Sequence, residues 1–480
     1  MNATAINTND ALALLPLFLL AGTAVVVMLG IAVKRSHELT AGLTLAGLAA
    51  SFLSVFTAAP LVPRQVTSLL LIDGYALFFL GLIIASAAAV AVLSYQYFAK
   101  HDGQREELYL LLVLATLGCG VLVTSIHFVS FLLGLEILSI SLYGMVAYFT
   151  DRGQTLEAGI KYLILASASA AFLLFGLALI YADTGTLSFS SLRNLPLDRS
   201  SLALVLPGIA LTVTGIGFKL GVVPFHLWIP DVYEGAPAPV AAFVATTSKT
   251  AVVALLLRYL AVGTQQSRAL FFLLSVIAVA SMCAGNLLAL RQNNVKRVLA
   301  YSSIAHFGYI LVAFLAGTTM GASAVAFYLV AYTVTILAAF GIVTVLSTSE
   351  ADAADLEDYR GLFWRRPVLA SIFTAVLFSL AGIPATMGFI GKFYILASGA
   401  NASAWPLMLV LVLTSVIGLF YYLRIVVTLF SASPERQFSM QRVGRGSAFV
   451  LGGLAVLLIW FGVYPAPLLN LIRATIGGLN

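Results

Sequence analysis

Apolar runs of about 20 residues recur from one end of the chain to the other, separated by short polar stretches. That is the length an α-helix needs to cross the hydrocarbon of a bilayer. The pattern predicts spans near 11–33, 41–58, 75–97, 107–125, 127–149, 156–183, 203–222, 246–264, 269–290, 298–317, 320–347, 367–397, 405–430 and 447–470. The expected fold class is an all-α integral membrane protein with about 14 transmembrane helices. Ten-residue stretches of alternating polarity are absent, which excludes a β-barrel. The first ten residues, MNATAINTND, carry no Lys or Arg, so the first helix is expected to be retained and not cleaved as a secretory signal. The longest polar connections, near 184–200 and 348–366, are too short for a soluble domain.

Composition agrees with the pattern. The chain is 61% hydrophobic and 9% charged, against roughly 25% charged in a soluble domain. The net charge of +6 reports orientation and not nucleic-acid binding, because most basic residues fall between the spans. With the N-terminus outside, the inside loops hold Lys34, Arg35, Lys100, Arg105, Arg152, Arg291, Lys296, Arg297, Arg360, Arg365, Arg366, Arg436, Arg442 and Arg445. The outside segments hold only Arg64, Arg193, Arg199, Arg268 and Arg473. A missed or invented helix would scramble that asymmetry, so it supports both the helix count and an outside location for both termini.

Several chemistries are excluded. Cys119 and Cys283 stand alone in apolar helices, whereas an iron–sulfur cluster needs about four thiolates. No strand is followed by G-x-G-x-x-G and a helix, so no Rossmann site is expected. His37, His101, His127, His226 and His306 show no metal-binding spacing. Any redox chemistry belongs to another chain.

Charges inside the spans carry the functional signal. Lys161, Lys219, Lys249, Arg258, Lys392 and Arg424 lie within helices, and Glu136 lies near the middle of its helix in FLLGLEILSISLYG. An ionisable group at the bilayer centre costs about 2.5–3.5 kcal/mol and is a functional candidate by default. Lys161, Arg258 and Arg424 are near helix ends, where snorkelling to the headgroups is the competing explanation. Glu136 is short and central and has no such escape.

Prolines add a second signal. The stretch from Ala203 to Ser248 contains Pro207, Pro224, Pro230, Pro237 and Pro239, with Lys219 between the first two. The span 367–397 is interrupted at AGIPATMGFIGKF, with Pro384 ahead of Lys392. Proline inside a helix removes an N–H and clashes with the preceding turn, and broken helices survive at membrane depth only where protein or water satisfies the freed backbone. The breaks share a G-x-x-P or G-x-P core (Gly221 to Pro224, Gly382 to Pro384). Paired interrupted helices point to an inverted repeat with its ion site at the breaks. The expected organisation is three N-terminal helices in 1–106, five-helix repeats in 107–264 and 265–430 with broken helices 7 and 12, and a C-terminal loop and helix in 431–480. A buried lysine loses its preference for the charged form and a nearby carboxylate restores it. Glu136 approaching and leaving Lys219 would therefore load and release a proton towards Lys249, with Lys392 as the later station.

Other polar residues rank lower. His306, in YSSIAHFGY, is a relay or a satisfied core histidine; His226 sits in the proline-rich break; Asp231 and Glu234 read as loop hydrogen-bonders, and Asp73 as a helix cap. Gly217 and Gly221 form a G-x-x-x-G that suits close helix approach.

The stretch GFKLGVVPFHLWIPDVYEGAPAPVAAFVATTSK closely resembles the signature of the antiporter-like subunits of respiratory complex I, a family that includes the large subunits of multi-subunit cation/proton antiporters. The likeness extends over the whole chain. Within the family, SLAGIPATMGFIGKFYIL carries Lys392 where the subunit M pattern has glutamate, and the chain lacks the long amphipathic C-terminal extension of subunit L. The resemblance implies that Glu136 and Lys219 form the coupling pair, Lys249 is the central relay and Lys392 the exit lysine, with Lys161 a further family lysine. It implies no cofactor on this chain, with FMN, iron–sulfur clusters and quinone in the rest of the complex. It also implies neighbours K and M, contact with the lateral helix of L, and a lipid setting. The alanine-rich composition points to a bacterial inner membrane. A subunit of a sodium/proton antiporter is the alternative.

Overall fold

The computed structural model describes residues 7–101, 103–150, 152–190, 202–260, 268–432 and 443–477. Arg193, Arg199, Arg436 and Arg442, counted above in the loops, lie outside these residues, as do much of the 184–200 connection and the expected boundary between 264 and 265. Among the described residues the only sheet is a small hairpin of Arg64–Gln65 against Leu71–Ile72.

Among the described residues thirteen helices are long and apolar enough to cross a membrane, and the fourteenth expected crossing is present as two shorter halves. In chain order they are α1 (Leu15–Val33), α2 (His37–Ala58), α3 (Gly74–Ala99), α4 (Glu107–Thr124), α5 (Phe128–Val146) and α6 (Gly153–Thr184). Then come α7 (Leu202–Leu220, followed after the break by Trp228–Gly235), α8 (Ala238–Tyr259), α9 (Arg268–Ala289), α10 (Val295–Leu315) and α11 (Thr319–Leu346). The last are α12 (Pro367–Ala381 and Met387–Asn401), α13 (Trp405–Phe430) and α14 (Arg445–Val463). In lipid only internal bonds satisfy the backbone, so apolar runs become helices. Ser36, Asp73, Asn294, Thr318 and Thr386 cap the first turns of α2, α3, α10, α11 and the second half of α12 with their side chains.

Three predicted spans differ from the structure. The run 447–470 is not one helix, because α14 ends at Val463 and, past Pro465, an amphipathic helix Ala466–Ile476 buries Leu468, Leu469 and Ile472. The run 11–33 begins as a separate short helix, Thr8–Ala13. Helix α8 starts at Ala238 and not near 246. Pro237 and Pro239 occupy its cap and first turn, where a missing N–H leaves no bond unmade.

Helices α8, α10 and α11 are enclosed by the others, while α1, α2, α13 and α14 show broad apolar faces such as Leu29, Phe56, Val416 and Phe449. Glycines set the closest crossings. A Cβ on Gly118 of α4 would stand 2.6 Å from the Leu138 nitrogen of α5, and one on Gly285 of α9 would stand 2.6 Å from the Ala305 nitrogen of α10. Small residues permit such approach where no hydrophobic force drives helices together.

Two ion pairs tie the bundle. Arg258 on α8 meets Asp73 with two hydrogen bonds, 2.8 and 2.7 Å, both side chains over 90% buried. Asp73 is therefore more than the cap expected of it, although it does accept from the Ala76 N–H, and Arg258 does not snorkel. At the opposite end of α3, Lys296 is fully buried and donates to the Glu234 and Ala236 carbonyls and to Asp352 at 2.6 Å, while the Tyr97 hydroxyl donates to the same carboxylate. Lys296, read above as a loop residue, is thus a joint between α3, α7, α10 and the connection before α12. Burial would raise the Asp352 carboxyl, but the Lys296 charge and hydrogen bonds from Lys296, Tyr97 and Ser347 outweigh it and hold it below the usual carboxylate value.

Breaking a buried pair strands a charge and costs about 3–5 kcal/mol, whereas removing both partners costs much less. Arg258→Met is therefore expected to lower thermal stability of the purified protein sharply, and Asp73→Asn with Arg258→Met to recover much of the loss. For Asp352 the stability is fully present above the carboxylate's unfolded value and is lost as pH falls through its lowered folded value. Asp352→Asn should flatten that acid-side loss, as read by unfolding midpoints across the acid range.

Candidate functional site

The breaks in α7 and α12 are built alike. At the first, the Gly221 N–H bonds the Gly217 and Phe218 carbonyls and the Val222 N–H bonds Gly217 again. At the second, the Gly382 N–H bonds the Phe378 and Ser379 carbonyls and the Ile383 N–H bonds Phe378. Both are glycine C-caps of the Schellman type, with φ of +70° and +84°. Space demands glycine as well. A Cβ on Gly382 would stand 2.9 Å from Lys392 Cδ, and one on Gly221 would collide with the Ile229 side chain and stand 3.7 Å from Lys249 Nζ. The breaks thus bring the chain close to two buried lysines.

Lys219 lies in the last turn before the first break, buried, and donates to Ser139 Oγ at 2.6 Å. Ser139 is one turn along α5 from Glu136. The Glu136 carboxylate lies within electrostatic reach of Lys219, yet no ion pair joins them. One carboxylate oxygen of Glu136 is buried with no hydrogen-bond partner. The expected pair is therefore adjacent but open.

Lys249 follows a π-helical turn, Val244–Ser248, inside α8; such turns often mark functional positions. It is fully enclosed and donates to Ser303 Oγ at 2.8 Å, with the ring centroids of Phe307 at 4.6 Å and Tyr233 at 5.5 Å. Ser303 also accepts from the Tyr332 hydroxyl at 2.7 Å. With both lone pairs engaged, its own proton is left for the Tyr233 oxygen at 3.4 Å.

His306 stands one turn along α10 from Ser303. Its Nδ1 is 2.7 Å from the Tyr328 hydroxyl and its Nε2 3.2 Å from the Tyr422 hydroxyl, which also bonds Ser302 Oγ. Both nitrogens are engaged, so the relay and core-histidine readings describe the same geometry. Lys392 donates to the Leu380 and Ala381 carbonyls at 2.9 Å each and to Ser415 Oγ at 2.8 Å. The carbonyls end the first half of α12, where the helix dipole is negative and favours a cation. Lys392 Nζ also lies 5.3 Å from the Tyr309 ring centroid, and Tyr309 accepts from Asn286.

Lys161 sits apart from this row. Its side chain is 43% exposed and its ammonium is paired with Glu157 at 2.7 Å and Asp231 at 2.8 Å, and Asp231 and Glu234 both hold Arg297. Arg424 donates to the Leu290 and Gln292 carbonyls and so closes the end of α9, with no reach to headgroups needed. His226 is half-buried in the break with Nδ1 unpartnered. Ser139, Ser303, Tyr332 and Tyr422 were not among the residues expected at the site. Ser303 was visible as a hydroxyl one helical turn from His306, but serines and tyrosines are common in membrane helices and carry no charge to mark them.

Residues 125–418 match the family model described as "NADH:quinone oxidoreductase/Mrp antiporter, TM". The chain is 47% identical to the NADH-quinone oxidoreductase subunit N of Ectopseudomonas mendocina, over 98% of both chains. It is similar to a chain of respiratory complex I from Thermus thermophilus, solved with bound aureothin, at 33% identity and a TM-score of 0.82 over 95% of this chain and 98% of that one. A chain of the Mrp complex from Dietzia sp. shares the fold, with a TM-score of 0.87 at 20% identity over 98% and 97%.

Gly382→Ala would force a left-handed residue to carry a Cβ, at about 1–2 kcal/mol, and would push Lys392 off its carbonyls. Thermal unfolding of the purified protein should show a loss at least that large.

Proposed function

Because the chain belongs to the family of NADH:quinone oxidoreductase and Mrp antiporter membrane subunits, we propose that it moves protons across the membrane for a NADH–quinone oxidoreductase whose quinone chemistry is carried out by other subunits. The observation that carries this reading is the bonding of the three buried lysines. Lys219, Lys249 and Lys392 bond only to neutral oxygens (Ser139, Ser303, and Ser415 with two carbonyls). A purely structural buried cation would be held by a carboxylate, as Arg258 and Lys296 are. A buried ammonium without a counter-charge is poised to change its proton occupancy when a charge approaches.

Glu136 is the charge that approaches. Closing on Lys219 it favours the protonated lysine; withdrawing, it frees the proton to pass to Lys249. Ser303 and the Tyr332, Tyr233 and Tyr422 hydroxyls then lead past His306 towards Lys392. Lys161, held by two carboxylates near the start of α6, serves at the entrance. The matching caps at the two breaks and the matching glycine crossings of α4 with α5 and α9 with α10 support two inverted five-helix repeats in 107–264 and 265–430. The loop charges support both termini on the periplasmic side of a bacterial inner membrane. Subunits K and M as neighbours, and the lateral helix of L alongside, complete the assembly, with FMN and the iron–sulfur clusters elsewhere in it. A sodium/proton antiporter subunit is the second reading: the family model covers Mrp antiporters as well, but the Mrp chain shares the fold at a lower identity than the complex I chain.

The test is proton uptake into proteoliposomes by the assembled complex, read beside NADH–quinone turnover. Lys219→Ala and Glu136→Gln should each abolish pumping and slow coupled turnover with assembly intact; unchanged pumping in both would refute the path. Ser303→Ala removes the sole hydrogen-bond acceptor of Lys249, at a cost of about 1–3 kcal/mol or more for a charged group. It should slow pumping severalfold, and Ser303→Thr, which keeps the hydroxyl, should restore it.

A further inference from the structure

Where the ends of α3, α11 and α14 meet, on the face that carries the basic loops, the structure leaves a crevice of about 390 Å³. Its walls include Leu93, Gln96 and Lys100 of α3 and its end, Thr344 of α11, and Val443 and Ser447 at the start of α14. Seven residues separate Leu93 from Lys100, about 10 Å along a helix axis. The crevice thus runs from an apolar wall within the span to an ammonium just past its end.

The charge at its mouth is unbalanced. Lys100 donates to the Ser347 carbonyl at 2.8 Å and forms no ion pair with a carboxylate among the described residues. Burial, and then the Arg366 guanidinium nearby, hold the Lys100 ammonium below the usual lysine value. The carboxylate of this region, Asp352, is already committed to Lys296 and Tyr97. Gln96 has its carbonyl oxygen engaged by the Gly444 N–H at 2.9 Å and the Ser447 hydroxyl at 3.4 Å, so the amide NH₂ remains as a donor on the crevice wall. Cation and amide donor offer what a phosphate oxygen accepts, and the apolar wall lies on the side where acyl chains run. Basic pockets between membrane helices on the cytoplasmic side hold anionic headgroups in this way.

We propose that this crevice is a binding site for one anionic phospholipid, its phosphate on Lys100 and Gln96 and its glycerol and upper acyl segment along Leu93 and Thr344. The lipid supplies the negative charge that the protein omits here and fastens α14 to α3 and α11. None of the residues of the proton path lines the site, so occupancy acts on the packing of α14 and not on proton transfer itself.

The assembled complex in nanodiscs containing a photoactivatable phosphatidylglycerol provides the test, with labelled peptides mapped by mass spectrometry. Labelling within 93–100 and 443–447 is expected. Lys100→Gln should weaken it about fivefold, the effect of one basic residue near an anionic surface. Val443→Trp, which fills the crevice and keeps every charge, should weaken it too, while NADH–quinone turnover in both variants stays at the parental level and confirms assembly. Excess inorganic phosphate should leave the labelling unchanged. Equal labelling by a phosphatidylcholine analogue, displacement by inorganic phosphate, or undiminished labelling in both variants would each overturn the proposal.

Discussion

A cation enclosed in a membrane protein must find every hydrogen-bond acceptor inside the protein, because lipid offers none. That constraint orders this molecule. It divides the enclosed basic groups into those given a carboxylate and those left with neutral oxygens. Arg258 with Asp73 and Lys296 with Asp352 belong to the first kind, and they join helices distant in sequence. Lys219, Lys249 and Lys392 belong to the second, and they stand at or beside irregular backbone. Fixed charges hold the bundle; the uncompensated ones are those assigned to the proposed proton path.

The irregular backbone serves the same end. An unbroken helix keeps its carbonyls for itself, whereas the α12 break frees two of them for Lys392. The π-helical turn before Lys249 and the left-handed glycines at both breaks are local departures from the best helix. Each costs some stability and supplies either an acceptor or the space for a lysine. The enclosed helices α10 and α11 carry Ser303, Tyr328 and Tyr332, with Tyr422 reaching in from α13 and Tyr233 from the second half of α7, while α1, α2 and α14 turn broad faces to lipid.

Function and structure also meet at the faces. Lys161, Asp231, Arg297 and Glu234 form one network between the starts of α6 and α10 and the second half of α7. A network of this kind fixes the short helix Trp228–Gly235 against α10, and so fixes the break on which Lys219 depends. The helix interruption and the stability of the bundle share residues there, and the proposed proton entrance lies among them.

Hydropathy by itself determined the class, the number of crossings and most of their limits, because a lipid-spanning helix must be apolar for its whole length. The buried charges Glu136, Lys219, Lys249 and Lys392 and the two breaks were legible for the same reason, as exceptions that lipid makes costly. A sequence does not show a cost that depends on a partner. Lys296 reads as a loop residue and Arg258 as a snorkelling one until Asp352 and Asp73 are seen against them. Pro237 and Pro239 read as a break, yet begin a helix, since a first turn has no N–H bond to lose. Ser139, Ser303 and Tyr332 carry no charge, and hydroxyls matter only through what stands within 3 Å of them. Those distances, and the open gap between Glu136 and Lys219, are set by helices far apart in sequence, so only the tertiary structure decided them.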